Sequence, residues 1–154
     1  MAKGGRGKKK AQAPLVPLAE GKRTGDPSRL LPASNNSTER VCWRFQHVDQ
    51  EGPWGITDGA FAMLLPELAK FETMTMHELF RQGEWPGKCH DTAALPTRQA
   101  RERLDTIGLA DMTQIWKLRI GSRGRLWGFL EGNVFHVVWW DPEHEIWPTK
   151  LKHT

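Results

Sequence analysis

Arg119, Arg125 and His144 are the residues of this chain whose types and spacing could carry out a reaction. Arginine offers a planar fork of donors that matches the oxygens of a phosphate. Histidine, with an ordinary pKa near 6.5, suits proton transfer at neutral pH. Two such cations beside an imidazole are physically compatible with several phosphate chemistries, among them cleavage of RNA by its own ribose 2′-hydroxyl. That reaction needs a base for the hydroxyl proton, cations for the pentacoordinate phosphorus and an acid for the departing oxygen. Arg125 would clamp the phosphate, Arg119 would add a second cation and His144 would serve as acid or base. Arg123, Trp127, His136 and Asp141 accompany them as candidate binding residues within 118–148, LRIGSRGRLWGFLEGNVFHVVWWDPEHEIWP. Each also has an ordinary structural reading. The arginines can pair with Glu131 or Asp141 across strands, His144 can sit in a surface turn, and the tryptophans can fill a core.

The elements that must position these residues are three strand-like runs, 115–120, 125–130 and 134–141. Gly121-Ser-Arg-Gly124 and Glu131-Gly-Asn133 separate them and have hairpin length and chemistry. Strict alternation puts Lys117 with Arg119, and Arg125 with Trp127 and Phe129. It also sets Phe135, Val137 and Trp139 against Val134, His136, Val138 and Trp140. Gly128, in mid-strand, marks a bulge or the close approach of a backbone or ligand. Asp141-Pro-Glu-His144 reads as a turn, because Asp can bond amides two residues on and Pro fits the second position. With helices over one side, the sheet would leave its second face half-open.

Upstream, 41–48 alternates as a strand with Val41, Trp43, Phe45 and His47 on one side. A helix capped by Thr57 or Asp58 runs to about 72, with Phe61, Leu64, Leu65, Leu68 and Phe71 inward and a kink or break expected at Pro66. Thr75 and Glu78 form a capping box for a short helix to 82. Residues 83–91 read as irregular. Thr97 caps a helix to about 107, which Gly108 stops; its Arg98, Arg101 and Arg103 read as a solvated face among Glu102 and Asp105. The fold class is therefore α+β: a C-terminal antiparallel meander of three to four strands packed on two or three helices, one domain over 39–154.

Residues 1–38 carry eight Lys/Arg, including Lys8, Lys9 and Lys10, against Glu20 and Asp26. With four prolines and an SNNST run, this segment reads as a disordered basic tail, solubilising or able to contact RNA. The net charge of +4 therefore belongs to the tail, since 39–154 holds fourteen basic and sixteen acidic groups. A polyanion would have to use a local cluster on the domain. No apolar run approaches the roughly 18 residues of a membrane span, and no secretory pattern follows the first lysines. The chain reads as cytoplasmic, with Cys42 and Cys89 as buried, reduced thiols. His136, Asp141 and His144 match no metal-ligand spacing, and no phosphate-cradling Gly-rich loop precedes a helix. No cofactor is expected.

Over about 95–148 the sequence resembles the RelE/ParE superfamily of small bacterial toxins, and within it the YoeB-like mRNA endonucleases. Arg125 opens RLWGF, His144 follows nineteen positions later, and Arg119 in LRI matches a basic residue of the preceding strand. The resemblance implies N-terminal helices with a C-terminal meander, ribosome-associated cleavage of mRNA without a metal, and an antitoxin protein as partner. It places Arg119, Arg125 and His144 in the catalytic roles. Residues 41–94 add a strand and two helices to that pattern. The other reading is a non-catalytic binding or adaptor module with a RelE-like sheet. Whether Arg119, Arg125 and His144 converge distinguishes the two.

Overall fold

The computed structural model describes residues 39–81, 83 and 85–149; the segment 1–38, with Lys8, Lys9 and Lys10, lies outside them. The order of elements is β1 (Cys42–Arg44), α1 (Asp58–Phe71), α2 (Met76–Phe80), β2 (Gly87–Asp91), a 3-10 turn (Thr92–Ala94), α3 (Arg98–Thr106), β3 (Gln114–Ile120), β4 (Gly124–Glu131) and β5 (Val134–Asp141). The strands form one mixed sheet in the order β1-β5-β4-β3-β2, with β1 parallel to β5 and the other pairs antiparallel. The class is α+β, with five strands where the sequence suggested three or four.

The helix boundaries follow local chemistry. Thr57 Oγ1 accepts the Ala60 amide at 3.1 Å to open α1. The Thr75–Glu78 capping box is formed in both directions, at 3.1 and 3.2 Å. Gly108, with φ of 77°, closes α3: its amide donates to Asp105 and the Leu109 amide to Leu104, a Schellman pattern. Pro66 does not break α1, which continues to Phe71. The proline lies on the exposed side of the helix, where water can satisfy the carbonyl it leaves unbonded.

Residues 83–91 are not wholly irregular. Gly87–Asp91 pairs with β3 over five residues as an edge strand. KCHD carries no β-branched residue and no burial alternation, so only the pairing reveals it. The first strand, conversely, stops at Arg44, because Phe45 O accepts the Val48 amide at 3.2 Å and turns the chain. Phe45 and His47 are exposed as a result; Cys42, within the strand, is exposed as well and Cys89 is half-buried, where burial of both was expected, and both thiols are free. Beyond Arg44 the loop takes over the outer edge of β5. The Asp49 amide donates to Val138 O at 3.0 Å, and the Trp140 amide to Trp54 O at 2.8 Å.

Both faces of the sheet are covered, contrary to the half-open sheet expected. On one side Leu64, Leu68 and Phe71 of α1 and Leu79 and Phe80 of α2 pack on Leu118, Leu126, Val137 and Trp140. On the other, Leu95 and the α3 residues Ala100 and Leu104 pack on Ile115, Trp127, Phe129 and Trp139, with Ile146 completing the layer. Strict alternation fails in β5, where Trp127 opposes Trp139 but Gly128 opposes Val137. This bulge leaves Val138 as an extra residue, so Val138 and Trp139 enter one core while Val137 and Trp140 enter the other. Gly128 permits it: a Cβ there would strike the His136 carbonyl and the Phe135 ring.

Arg103 is not part of a solvated face. Its Nε and Nη2 donate to the two Asp49 oxygens at 2.8 and 2.5 Å, and Trp139 Nε1 donates to the same carboxylate at 3.3 Å. These bonds fasten the 49–56 loop to α3 and β5. They also hold the Asp49 carboxyl below its ordinary pKa of 3.8, against the opposing effect of burial. The stability they contribute is complete above that value and is lost as the pH falls through the lower folded-state value. Urea midpoints measured down the acid limb should therefore fall less steeply for Asp49→Asn than for the native chain. Gly128→Ala should cost about 1–3 kcal/mol through overpacking. Gly59→Ala, where a Cβ meets nothing within 4 Å, should be neutral or add up to about 1 kcal/mol through helix propensity. The same unfolding curves test both.

Candidate active site

The register of the closing hairpins brings the arginines together. Arg119 of β3 lies directly opposite Arg125 of β4, and Arg125 lies opposite Asp141 of β5. Directly opposed side chains share a face, with Cβ atoms roughly 4.5–5.5 Å apart, and like charges at that separation repel. One row back, Lys117 opposes Trp127, with its Nζ 5.8 Å from the indole centroid, and Lys88 of β2 opposes Lys117. The uncovered end of this otherwise buried face is thus built from cations.

Arg125 is only 8 % exposed. Its Nη1 donates to Gly124 O at 2.8 Å and to Ser122 O at 3.4 Å, which holds the guanidinium against the β3–β4 turn. Burial and the neighbouring Arg119 both pull its pKa down, with Asp141 opposing them. Arg119 Nε donates to Gly121 O at 3.3 Å. Asp141 does not neutralise the pair by a direct bond. Its two oxygens accept the amides of Glu145 and Ile146, each at 2.9 Å, and its side chain is fully buried.

Those two bonds shape the turn that carries His144. The histidine has φ of 58°, a left-handed conformation that glycine adopts most readily. From the other side Thr97, which caps no amide of α3, donates its hydroxyl to Ile146 O at 2.5 Å and contacts Glu145 O at 3.3 Å. Ile146 itself is fully buried. Held at both ends, the turn directs the imidazole toward the cationic face. Nδ1 lies 3.4 Å from Thr149 Oγ1, and Nε2 is shielded from solvent without a hydrogen-bond partner among the described residues. Burial first, then Arg125 and Lys117, push the His144 pKa below 6.5; Arg119 adds to this and Asp141 opposes it. The ring is therefore neutral at physiological pH. The Thr149 hydroxyl can donate to Nδ1 or accept from it, according to the tautomer.

Arg119, Arg125, Asp141 and His144 thus come together, while the other candidates are dispersed. Arg123 makes an exposed pair with Glu143 at 3.0 Å. Trp127 is fully buried in the core. His136 lies five residues along β5 from Asp141, roughly 16 Å away at about 3.3 Å per residue. There its Nε2 is 3.4 Å from Glu131 and its ring is 5.7 Å from that of His47. Sequence reasoning missed Lys88, because its strand was not recognised, and Thr97 and Thr149, whose roles depend on the returning turn. Lys117 was legible from its alternation with Arg119. Among the described residues, no group of three His, Cys, Asp or Glu is placed to hold a metal ion. Comparisons with protein families, with curated proteins and with solved structures find no match for this chain.

The depressed His144 pKa has a stability consequence. Between the folded-state value and 6.5 the unfolded chain binds the extra proton, so stability rises with pH across that window and is independent of this residue above it. His144→Asn, which tolerates the left-handed backbone, should flatten that limb of the stability–pH profile. Imidazole NMR of the native chain should show the His144 ring titrating below 6.5.

Proposed function

We propose that this chain is a RelE/YoeB-like toxin, a ribosome-associated endoribonuclease that cleaves mRNA in the cytoplasm without a metal and is held in check by an antitoxin protein. One observation carries the reading. His144, whose pKa burial and the charges of Arg125, Lys117 and Arg119 lower, lies near two arginines that oppose each other across strands. An imidazole held neutral by surrounding cations suits a base, and paired guanidinium groups suit the charge that develops on a phosphate.

In the proposed reaction RNA binding uncovers the enclosed His144 Nε2, which takes the proton of the ribose 2′-hydroxyl. The 2′-oxygen attacks phosphorus, the bond from phosphorus to the 5′-oxygen breaks, and that oxygen takes a proton from water. The products are a 2′,3′-cyclic phosphate and a 5′-hydroxyl end, and the imidazolium returns its proton to solvent. Arg125, fixed by the Gly124 and Ser122 carbonyls, orients the phosphate, and Arg119 adds charge to the same oxygens. Thr149 Oγ1, 3.4 Å from Nδ1, helps to hold the ring in its orientation.

The binding-module reading draws on a different observation, the low exposure of Arg125. A guanidinium already bonded to its own turn can hold an anionic partner without turning it over. The discriminating experiment uses the purified chain, ribosomes programmed with end-labelled mRNA, and EDTA. The native chain should leave 2′,3′-cyclic phosphate ends. His144→Asn should lower the rate by about 10²–10⁴-fold, the usual worth of a general base. Arg125→Ala should lower it by a similar factor, as expected for losing a transition-state donor. RNA binding with no cleavage by the native chain would establish the binding module instead.

A further inference from the structure

His144 Nε2 is enclosed in the structure, so a base at that position works only if something at the rim moves. Among the described residues, one ion pair joins the turn of His144 to the turn that anchors Arg125. Arg123 Nη1 donates to Glu143 Oε2 at 3.0 Å, and the two side chains are 71 % and 58 % exposed. Arg123 belongs to the β3–β4 turn, whose Ser122 and Gly124 carbonyls hold the Arg125 guanidinium. Glu143 belongs to the other turn and immediately precedes His144. The backbone of that second turn is fixed, because Asp141 accepts the amides of Glu145 and Ile146 and Pro142 restricts the step between. Its side chains are held less firmly. An ion pair this exposed contributes little and is screened by salt, and the Thr149 contact to His144 Nδ1, at 3.4 Å, is long. Glu143 also differs from Asp141. Its carboxylate engages a side chain rather than buried amides, so an incoming anion can replace it.

We propose that the Arg123–Glu143 pair is a strap across the site, opened when an RNA phosphate replaces the Glu143 carboxylate on Arg123. Glu143 then turns out to solvent, the rim over Nε2 opens, and Arg123 joins Arg119 and Arg125 as a third phosphate ligand. The inference rests on the ribonuclease reading for the role of His144 and deepens it by naming how the base is uncovered. One anion takes the place of another, so the exchange leaves no cation unpaired at Arg123. Glu143 engages the guanidinium through one bond, whereas a phosphate can meet its fork with two oxygens. The strap therefore yields to the phosphate backbone of RNA and is indifferent to the bases. Without an anion to take the carboxylate's place, the imidazole stays enclosed.

Two measurements on the full chain test the strap, and neither needs cleavage. The first is modification of His144 by diethyl pyrocarbonate, read by mass spectrometry well above pH 6.5, where the ring is neutral. The exposed His47 and His77 serve as references within the same chain. The second is a fluorescence anisotropy titration with an uncleavable 2′-O-methyl oligonucleotide over a series of salt concentrations. Glu143→Gln should raise the modification rate by about two- to fivefold, the most that an exposed pair can hold back, and should tighten RNA binding. Arg123→Ala should also raise the modification rate but should weaken binding. It should reduce the slope of log Kd against log salt by about 0.7, the worth of one contact to a single strand. Arg123→Lys should restore that slope. Unchanged His144 modification in Glu143→Gln and Arg123→Ala would overturn the strap, and a native salt slope in Arg123→Ala would overturn the exchange. A chain that shows both effects but leaves ribosomal mRNA intact would refute the ribonuclease reading and keep the strap. Cleavage with His144 modification unaltered in both variants would do the reverse.

Discussion

The buried carboxylate of Asp141 is the constraint on which the site depends. It ends β5 fully enclosed, opposite a cation, and its oxygens cap the amides of Glu145 and Ile146. An unsatisfied buried amide costs about 1–3 kcal/mol, so these bonds decide where the chain goes after the last strand. They return it across the sheet, put Ile146 into the core beneath α3 and leave His144 in a left-handed conformation that the sequence would not adopt by itself. Thr97, far away in sequence, closes the same turn from the helix side. The position of His144 follows from a capping interaction and a buried isoleucine.

The electrostatics follow from this frame. The domain as a whole carries a small excess of acidic groups, yet one end of one sheet face collects Arg119, Arg125 and two lysines through strand register alone. Asp141, opposite Arg125, bonds two backbone amides and acts on Arg125 and His144 through its charge. An imidazole set beside the cluster loses its proton readily, and a phosphate brought to it meets donors already in place. Elsewhere Arg98 pairs with Glu102 and Arg123 with Glu143 at the surface, while Asp49 and Arg103 fasten a loop.

The parts of this arrangement that were legible in the sequence were those fixed by local chemistry. The capping box at Thr75, the stop at Gly108, the two hairpins and the turn opened by Asp141 depend on residues within a few positions of one another. The convergence of Arg119 with Arg125 followed from a hairpin of the right length. What could not be read depends on distant partners. β2 is a strand because β3 offers it an edge, and KCHD announces nothing of the kind. The Asp49–Arg103 bond joins residues 54 apart, so Arg103 looked like one more exposed charge on a polar helix. The bulge opposite Gly128 lies in the geometry of two strands together, and it reversed the expected facing of Trp139 and Trp140. Thr97 has the residue type of a cap and makes a different bond.

The central claim is that a phosphate binds between the two arginines and the unengaged Nε2 of a neutral His144. Its most direct measurement is the nitrogen NMR of the imidazole rings during titration with an uncleavable RNA. The account predicts that His144 alone among the histidines shows a marked change at Nε2, keeps its proton on Nδ1, and shifts together with the guanidinium signals of Arg119 and Arg125. Saturation of the RNA with His144 Nε2 unmoved would contradict it.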